Sequence, residues 1–181
     1  MVEPIASCEE LFELLALTAG SVDDVVDGDV DIDILRHSLQ CAAELAASAP
    51  GDVELQVAGL VHDLGHVLVP GDPAGHGRHA AGALRALLGE RVAALVELHV
   101  PAKRYLVTAD PAYAAILSPG STRSLRHQGG PLTDAERTAL EADPHLSDAL
   151  TLRRADEAAK DPSRVVPGLD HWRPLVESLT P

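Results

Sequence analysis

At 181 residues, 46% apolar but only 2% aromatic, the chain has enough material for one well-buried core and too little for two. Such a core must be filled by Ala, Leu and Val, as in Ala42-Ala43 and Ala80-Ala81, which favours close-packed helices over strands. A formal net charge of -14 argues against nucleic acid or an anionic membrane as partner, and no apolar run approaches the roughly 18 residues that span a bilayer.

Ser7-x-x-Glu10 reads as a capping box that opens a helix through about Ala19, stopped by Gly20. The N-terminus carries Glu3, Glu9 and Glu10 rather than the basic and then apolar order of a secretory leader. Cys8 and Cys41 have neither a framework nor a metal-binding spacing, so a reducing, cytoplasmic setting is expected. Between Asp23 and Asp33 lie six aspartates, a solvated stretch or the rim of a site. The next helix is expected from about Ile34 to Ser48, ended by Pro50-Gly51. Asp52 then caps a helix carrying Leu55, Ala58, Gly59 and His62 at helical spacing and ending near Gly65.

A Pro/Gly-rich loop, Pro70 to Gly77, leads to a helix from about His79 to Leu88. After Gly89 another helix runs to about His99, where Pro101 forces a break or kink. Residues 102 to 117 read as helical with an interruption at Asp110-Pro111, and Ser118 to Gly130 as one helical turn and a loop. Thr133-x-x-Glu136 is a second capping box; helices follow at Ser147 to Lys160 and around Leu169 to Leu179. No repeat or linker divides the chain.

Chemistry is concentrated at His62-Asp63, at the end of an apolar helix. Adjacent helical residues point about 100° apart, so the pair can grip one metal from two sides where the backbone ends, as Gly65 allows. Imidazole nitrogen with a hard, bridging oxygen suits Fe, Mn or Zn. A lone His-Asp pair would be a helix-end hydrogen bond, but His37 lies one helix upstream and Asp156 far downstream on its own helix. The set His37, His62, Asp63 and Asp156 resembles the ligand set of the HD superfamily. That implies an all-α fold, a single HD-domain helical bundle over residues 1 to 181 with its core at about 34 to 160. His79 and His99 fall between the dyad and the last aspartate, and six candidate ligands imply two metals with Asp63 bridging. His79 is preferred to His76 because it opens a helix with a small residue one turn on. His76, His127, His145 and His171 are read as solvated.

Further strings narrow the resemblance: His37-Ser38-Leu39-Gln40-Cys41-Ala42; His99-Val100-Pro101-Ala102-Lys103-Arg104-Tyr105-Leu106; Leu117-Ser118 to Ser121, Ser124-Leu125 and Gln128-Gly129-Gly130; and Arg153-Arg154-Ala155-Asp156-Glu157-Ala158-Ala159-Lys160. Together they resemble the PhnZ-type HD-domain diiron oxygenases, over roughly residues 34 to 160. That family cleaves the carbon–phosphorus bond of 1-hydroxyphosphonates with O₂ and is related in site design to the diiron enzyme that oxidises myo-inositol. The resemblance implies two iron ions, Fe(II)/Fe(III), with O₂ as co-substrate. His37, His62, Asp63 and Asp156 would hold one iron, and Asp63 would bridge to a second held by His79 and His99; His62 and Asp63 are thus the catalytic centre. His66, Lys103, Ser121, Ser124, Gln128 and Arg153 would surround a small anionic organophosphonate.

Physical chemistry agrees with that substrate class. Eight of the 14 Lys and Arg lie between Lys103 and Lys160, about half of them expected on helix surfaces, and a dianion wants charge-assisted donors such as Lys103 and Arg153. Gln128-Gly129-Gly130 would allow a close backbone approach. Arg153 has a structural alternative, pairing with Asp156 or Glu157 on its own helix. Two departures bear on the substrate. The family's tyrosine and glutamate ahead of the first ligand are replaced by Val26-Asp27-Gly28-Asp29-Val30-Asp31, where Asp27 or Asp29 would have to take over. A frequent tryptophan before the last ligand is Ala155. A metal-dependent phosphohydrolase acting on a small phosphate ester or nucleotide can use the same six ligands. A degenerate HD module acting as a sensor is the remaining alternative. The substituent of the phosphonate and the oligomeric state are not written in the sequence.

Overall fold

The computed structural model describes residues 2–21 and 32–181. The described residues form helices and no strands, as an Ala/Leu/Val core requires. The acidic stretch, including Asp27 and Asp29, lies almost wholly outside the described residues, so the substitution expected there is not addressed by the fold.

Helix α1 (Cys8–Leu17) opens on the Ser7 hydroxyl, which accepts from the Glu10 N–H. Asp33 caps α2 (Ile34–Ser48) and Asp52 caps α3 (Val53–Val61), in each case by accepting the N–H three residues on. These caps fix where α2 and α3 start, as the sequence places them, but α3 ends at Val61 rather than near Gly65, so His62 and Asp63 stand in the turn that follows. A short helix α4 (Gly65–Leu68) follows the turn at His62 to Leu64.

The largest departure is α5 (His76–Ala109). It begins three residues earlier than expected, on Gly75, which places His76 inside its first turn. Gly89, at φ 86°, divides it into two straight pieces, the break the sequence indicates. Pro101 neither ends nor visibly breaks the second piece, which continues to Ala109. The carbonyl that Pro101 leaves without its helical donor belongs to Glu97, an exposed residue, where water can take the donor's place. Asp110 then caps α6 (Pro111–Ile116). Ser118 to Gly130 is more ordered than one turn and a loop. Ser118 caps a full helix, α7 (Pro119–His127), with Pro119 at its first position. Gly129 and Gly130 end it with φ of 97° and 71°, values that glycine alone adopts readily. The Thr133–Glu136 capping box starts α8 (Asp134–Glu141), and α9 (Leu146–Ala158) and α10 (Leu169–Glu177) complete the order.

The core is the packing of α2, α3, α5 and α9 on one another. Its fully buried positions are mainly Leu, Val and Ala, with Trp172 of α10 closing one end against α3. Gly59 sets how closely α2 and α3 approach: a Cβ there would sit 2.5 Å from Leu45 Cδ1. At the other face, a Cβ on Gly65 would sit 2.0 Å from the His76 carbonyl oxygen. The start of α5 is therefore pressed directly onto the backbone that follows His62-Asp63. No described helix is long and apolar enough to cross a membrane.

Candidate metal centre

Six side chains from five segments converge between α2, α3, α5 and α9. His37 comes from the first turn of α2, His62 and Asp63 from the turn ending α3, His76 from the start of α5, His99 from its second piece, and Asp156 from α9. Asp63 is central. Its Oδ2 lies 3.5 Å from His37 Nε2 and 3.3 Å from His62 Nε2, while its Oδ1 lies 3.3 Å from His76 Nε2 and 3.7 Å from His99 Nε2. One carboxylate thus faces two histidine pairs, one per oxygen, and two clusters with metal-binding spacing share it. Asp156 joins the first pair, with Oδ1 3.2 Å from His37 Nε2 and Oδ2 3.9 Å from His62 Nε2.

The histidines are oriented by their other nitrogens. Nδ1 of His37 is 2.8 Å from the Ala159 carbonyl, that of His62 2.8 Å from Gly59, that of His76 2.7 Å from Pro73, and that of His99 2.6 Å from Val96. A carbonyl only accepts, so each Nδ1 carries the hydrogen, and each ring when neutral turns an Nε2 lone pair inward. This is the arrangement that fixes metal-binding histidines elsewhere. Two consequences test the fit to a metal. His62 Nε2 is buried without a hydrogen-bond partner. The Nε2 atoms of His76 and His99 are 2.7 Å apart, lone pair to lone pair, an arrangement that needs a proton or another cation beside it. Four nitrogens and two carboxylates fit Fe, Mn or Zn rather than Ca or Mg.

Electrostatics point the same way. Burial opposes charging His62, but Asp63, with Asp156 and the Gly59 carbonyl, outweighs it and holds the pKa up at about 9. At His99 burial wins, reinforced by His76 and His62, and the imidazole is held well below its usual range. Burial would raise the Asp63 and Asp156 carboxyls; His62 holds the first, and Arg153 the second, well below the usual carboxylate range. The centre therefore keeps two buried anions and draws in positive charge to match them.

His79, expected as a ligand, is not in this cluster. Its Nε2 is 2.8 Å from Asp72 Oδ2, on the outer side of the α5 start, and His76 stands where His79 was expected. The reason is the earlier helix start: with α5 beginning at His76, residue 76 faces Asp63, and residue 79, three positions on, is turned toward the loop before the helix. Among the sequence signals, only the glycines flanking His76 mark it. A Cβ on Gly77 would lie 2.9 Å from the Val96 carbonyl and 3.0 Å from the His99 ring, so small neighbours let this turn sit down on α5.

A cavity opens onto the cluster, and every residue expected around the substrate lines it: His66, Lys103, Ser121, Ser124, Gln128 and Arg153. His66 stacks on His76, ring centroids 4.2 Å apart. Lys103, one turn after His99 on the same helix face, is buried and donates to Ser124 Oγ at 2.8 Å. Burial, helped by Arg153, pushes its pKa down to about 7. Arg153 also reaches the cavity, yet it meets Tyr113 through Nε (2.6 Å), Asp156 through Nη1, and Ser121 and Glu157 through Nη2. It has both intrahelical partners that the structural alternative named. Gln128 donates weakly to the Pro73 carbonyl and leaves its Oε1 buried without a partner. Gly129 and Gly130 lie instead against Arg104, whose Nε donates to the Gly130 carbonyl at 2.8 Å. Sequence reasoning did not single out Lys160, which donates to Ser121 Oγ at 2.6 Å and Ser118 Oγ at 3.2 Å, or Glu157, which accepts from both Lys160 and Ser121. Their signal is proximity in sequence: Glu157 follows Asp156 directly on α9, and Lys160 lies two residues past the end of that helix.

Comparison with known proteins agrees with this architecture. The HD domain family model matches residues 34–159. Hydroxymethylphosphonate dioxygenase of Gimesia maris is 37% identical over 159 residues, covering 83% of this chain and 79% of that protein. The glycine-betaine-forming [1-hydroxy-2-(trimethylamino)ethyl]phosphonate dioxygenase of Leisingera caerulea is 31% identical over 156 residues, covering 82% and 79%. Uncharacterized protein L432 of Acanthamoeba polyphaga mimivirus is 32% identical over 152 residues, covering 78% and 69%. On the extent of these matches and its ligand-bearing helices, the chain belongs to the HD domain family, in the group that holds the PhnZ-type phosphonate dioxygenases.

Proposed function

We propose that this protein is an HD-domain diiron oxygenase that cleaves the C–P bond of a small 1-hydroxyphosphonate with O₂, releasing phosphate and a carboxylic acid. The observation that carries the reading is the Asp63 carboxylate, one oxygen turned to each histidine pair, at the floor of a cavity walled by Lys103, Ser121, Ser124 and Lys160. His37, His62, Asp63 and Asp156 hold one iron, and Asp63, His76 and His99 the other. When bound, the iron pair supplies the redox chemistry that lets O₂ oxidise the carbinol carbon.

The chain's residues do the rest. Lys103 meets a phosphonate oxygen with a charge-assisted hydrogen bond, and the Ser121 and Ser124 hydroxyls and Lys160 fix the remaining oxygens. Arg153, held by Tyr113 and Glu157, keeps Asp156 ionised and aimed at the first iron. His66, beside His76, faces the substrate from the side of the second iron. The reaction balances as hydroxyphosphonate dianion plus O₂ giving carboxylate, hydrogen phosphate and a proton. Two electrons come from the C–H bond and two from the C–P bond.

A phosphohydrolase would use the same ligands. The oxygenase reading is favoured because the two named relatives, 37% and 31% identical over most of this chain, are phosphonate dioxygenases. Protein purified without oxygen and loaded with iron should bind two irons per chain. It should release phosphate from hydroxymethylphosphonate or a substituted 1-hydroxyphosphonate, but not from phosphate monoesters. Phosphate from the esters alone would establish the hydrolase.

A further inference from the structure

His79 lies outside the cluster yet is joined to it by a short chain of contacts. Asp72 Oδ2 accepts from His79 Nε2 at 2.8 Å, and Asp72 Oδ1 accepts the Gly75 N–H at 3.1 Å. Gly75 is the residue at which α5 begins, and no side chain of its own caps that end. The Asp72 carboxylate therefore holds the N–H of the residue from which α5 starts and sets a negative charge near the positive end of that helix. Pro73, inside the span between Asp72 and Gly75, presents the carbonyl that accepts from His76 Nδ1 at 2.7 Å. Gly75 is sized for the closure, since a Cβ there would stand 2.3 Å from Asp72 Oδ2 and 2.9 Å from His79 Nε2. Fixing Asp72 at both oxygens leaves the Pro73 carbonyl, and through it the His76 ring, little freedom to turn.

We propose that Asp72 and His79 form a latch that positions His76, holding the Pro73 carbonyl where it sets the ring's tautomer and its Nε2 toward Asp63 Oδ1. The proposal rests on the two-metal reading and makes His79 a positioning residue rather than a ligand. The contrast with the other three histidines supports it. His62 and His99 turn Nδ1 to carbonyls within the helices they follow or stand on, and His37 to Ala159 just past the end of α9, whereas His76 takes the carbonyl of Pro73 in the loop before its own helix.

Calorimetric titration of the metal-free protein with Fe(II), under exclusion of oxygen, reads this directly. Wild type should take up two equivalents. His79→Ala and Asp72→Ala should each weaken the second equivalent by about 10- to 100-fold, the usual effect of removing a group that orients a ligand, and leave the first unchanged. The double variant should be no weaker than either single one. His79→Gln, which keeps a donor toward Asp72, should recover most of the affinity, while His76→Ala should abolish the second equivalent. Should the alanine variants fail to fold, His79→Gln against Asp72→Asn carries the same comparison. An unchanged second equivalent in His79→Ala would overturn the latch. Loss of that equivalent in His79→Ala with retention in His76→Ala would make His79 the ligand itself. A single equivalent in wild type would instead overturn the two-metal reading.

Discussion

His37 and His62 stand on α2 and at the end of α3, helices whose starts are capped by Asp33 and Asp52 and whose spacing is set by Gly59. His76 stands in the first turn of α5, after the loop of residues 69–75, and reaches Asp63 because Gly65 and Gly77 let that turn press down on its neighbours. The first half of the centre stands on α2, α9 and the turn that ends α3; in the second, His99 stands within the second piece of α5, and His76 depends on a loop and a helix start. A ligand on a regular element inherits its direction from the helix period. A ligand at a helix start depends on where the helix begins, which single caps and loop carbonyls decide.

The comparison is broken most severely at the residue both halves share. Asp63→Ala should lose both metals and all activity, whereas His76→Ala should lose the second metal and activity while retaining the first, as metal counts on the purified variants would show. Equal loss in the two variants would mean the halves are not separable. Glycine substitutions sharpen it next. Gly65→Ala drives a methyl group into the His76 carbonyl and should cost about 1–3 kcal/mol by chemical denaturation, with the second metal weakened as well. Gly82→Ala, on the exposed face of the same α5 with nothing within 4 Å, should instead stabilise by about 0.5–1 kcal/mol and leave both metals alone.

A smaller effect concerns the cavity wall. Lys103, with its pKa pushed down to about 7, is charged below that pH and neutral above it in the empty site. Its contribution to holding an anion is therefore full below pH 7 and shrinks as pH rises through it, because the bound anion must first recruit the proton. The ratio of wild-type to Lys103→Met affinity for a phosphonate should be about 10- to 100-fold at pH 6, the strength of one hydrogen bond to a charged group, and smaller at pH 8.5. Taking the ratio removes the phosphonate's own ionisation. A ratio independent of pH would show that Lys103 stays charged.

How much was legible in the sequence follows the same division. The span of α2 and the start of α3 are legible from Pro50-Gly51, Asp52 and the apolar period, whereas the end of α3 at Val61, four residues before Gly65, is not. Lys103 shares a face with His99 because α5 runs on through Pro101, where the sequence marks a break. His79 is expected where His76 stands because Gly75-His76-Gly77 reads as loop, and the Asp72 carboxylate that holds the Gly75 N–H gives no helix signal in the sequence. Ser118 to Gly130 was under-read for a related reason: Ser-Pro looks like a turn, yet it is also the N-cap and first position of a helix. Arg153 lines the cavity, but its engagement by Tyr113, 40 residues away, has no sequence signal.

The central claim is that O₂, rather than water, breaks the C–P bond. It is tested most directly by following O₂ uptake and phosphate release together in the iron-loaded protein given hydroxymethylphosphonate. One O₂ consumed for each phosphate released, with no phosphate formed under argon, is the result predicted by a four-electron oxidation of the substrate. Phosphate released at the same rate without O₂ would contradict it.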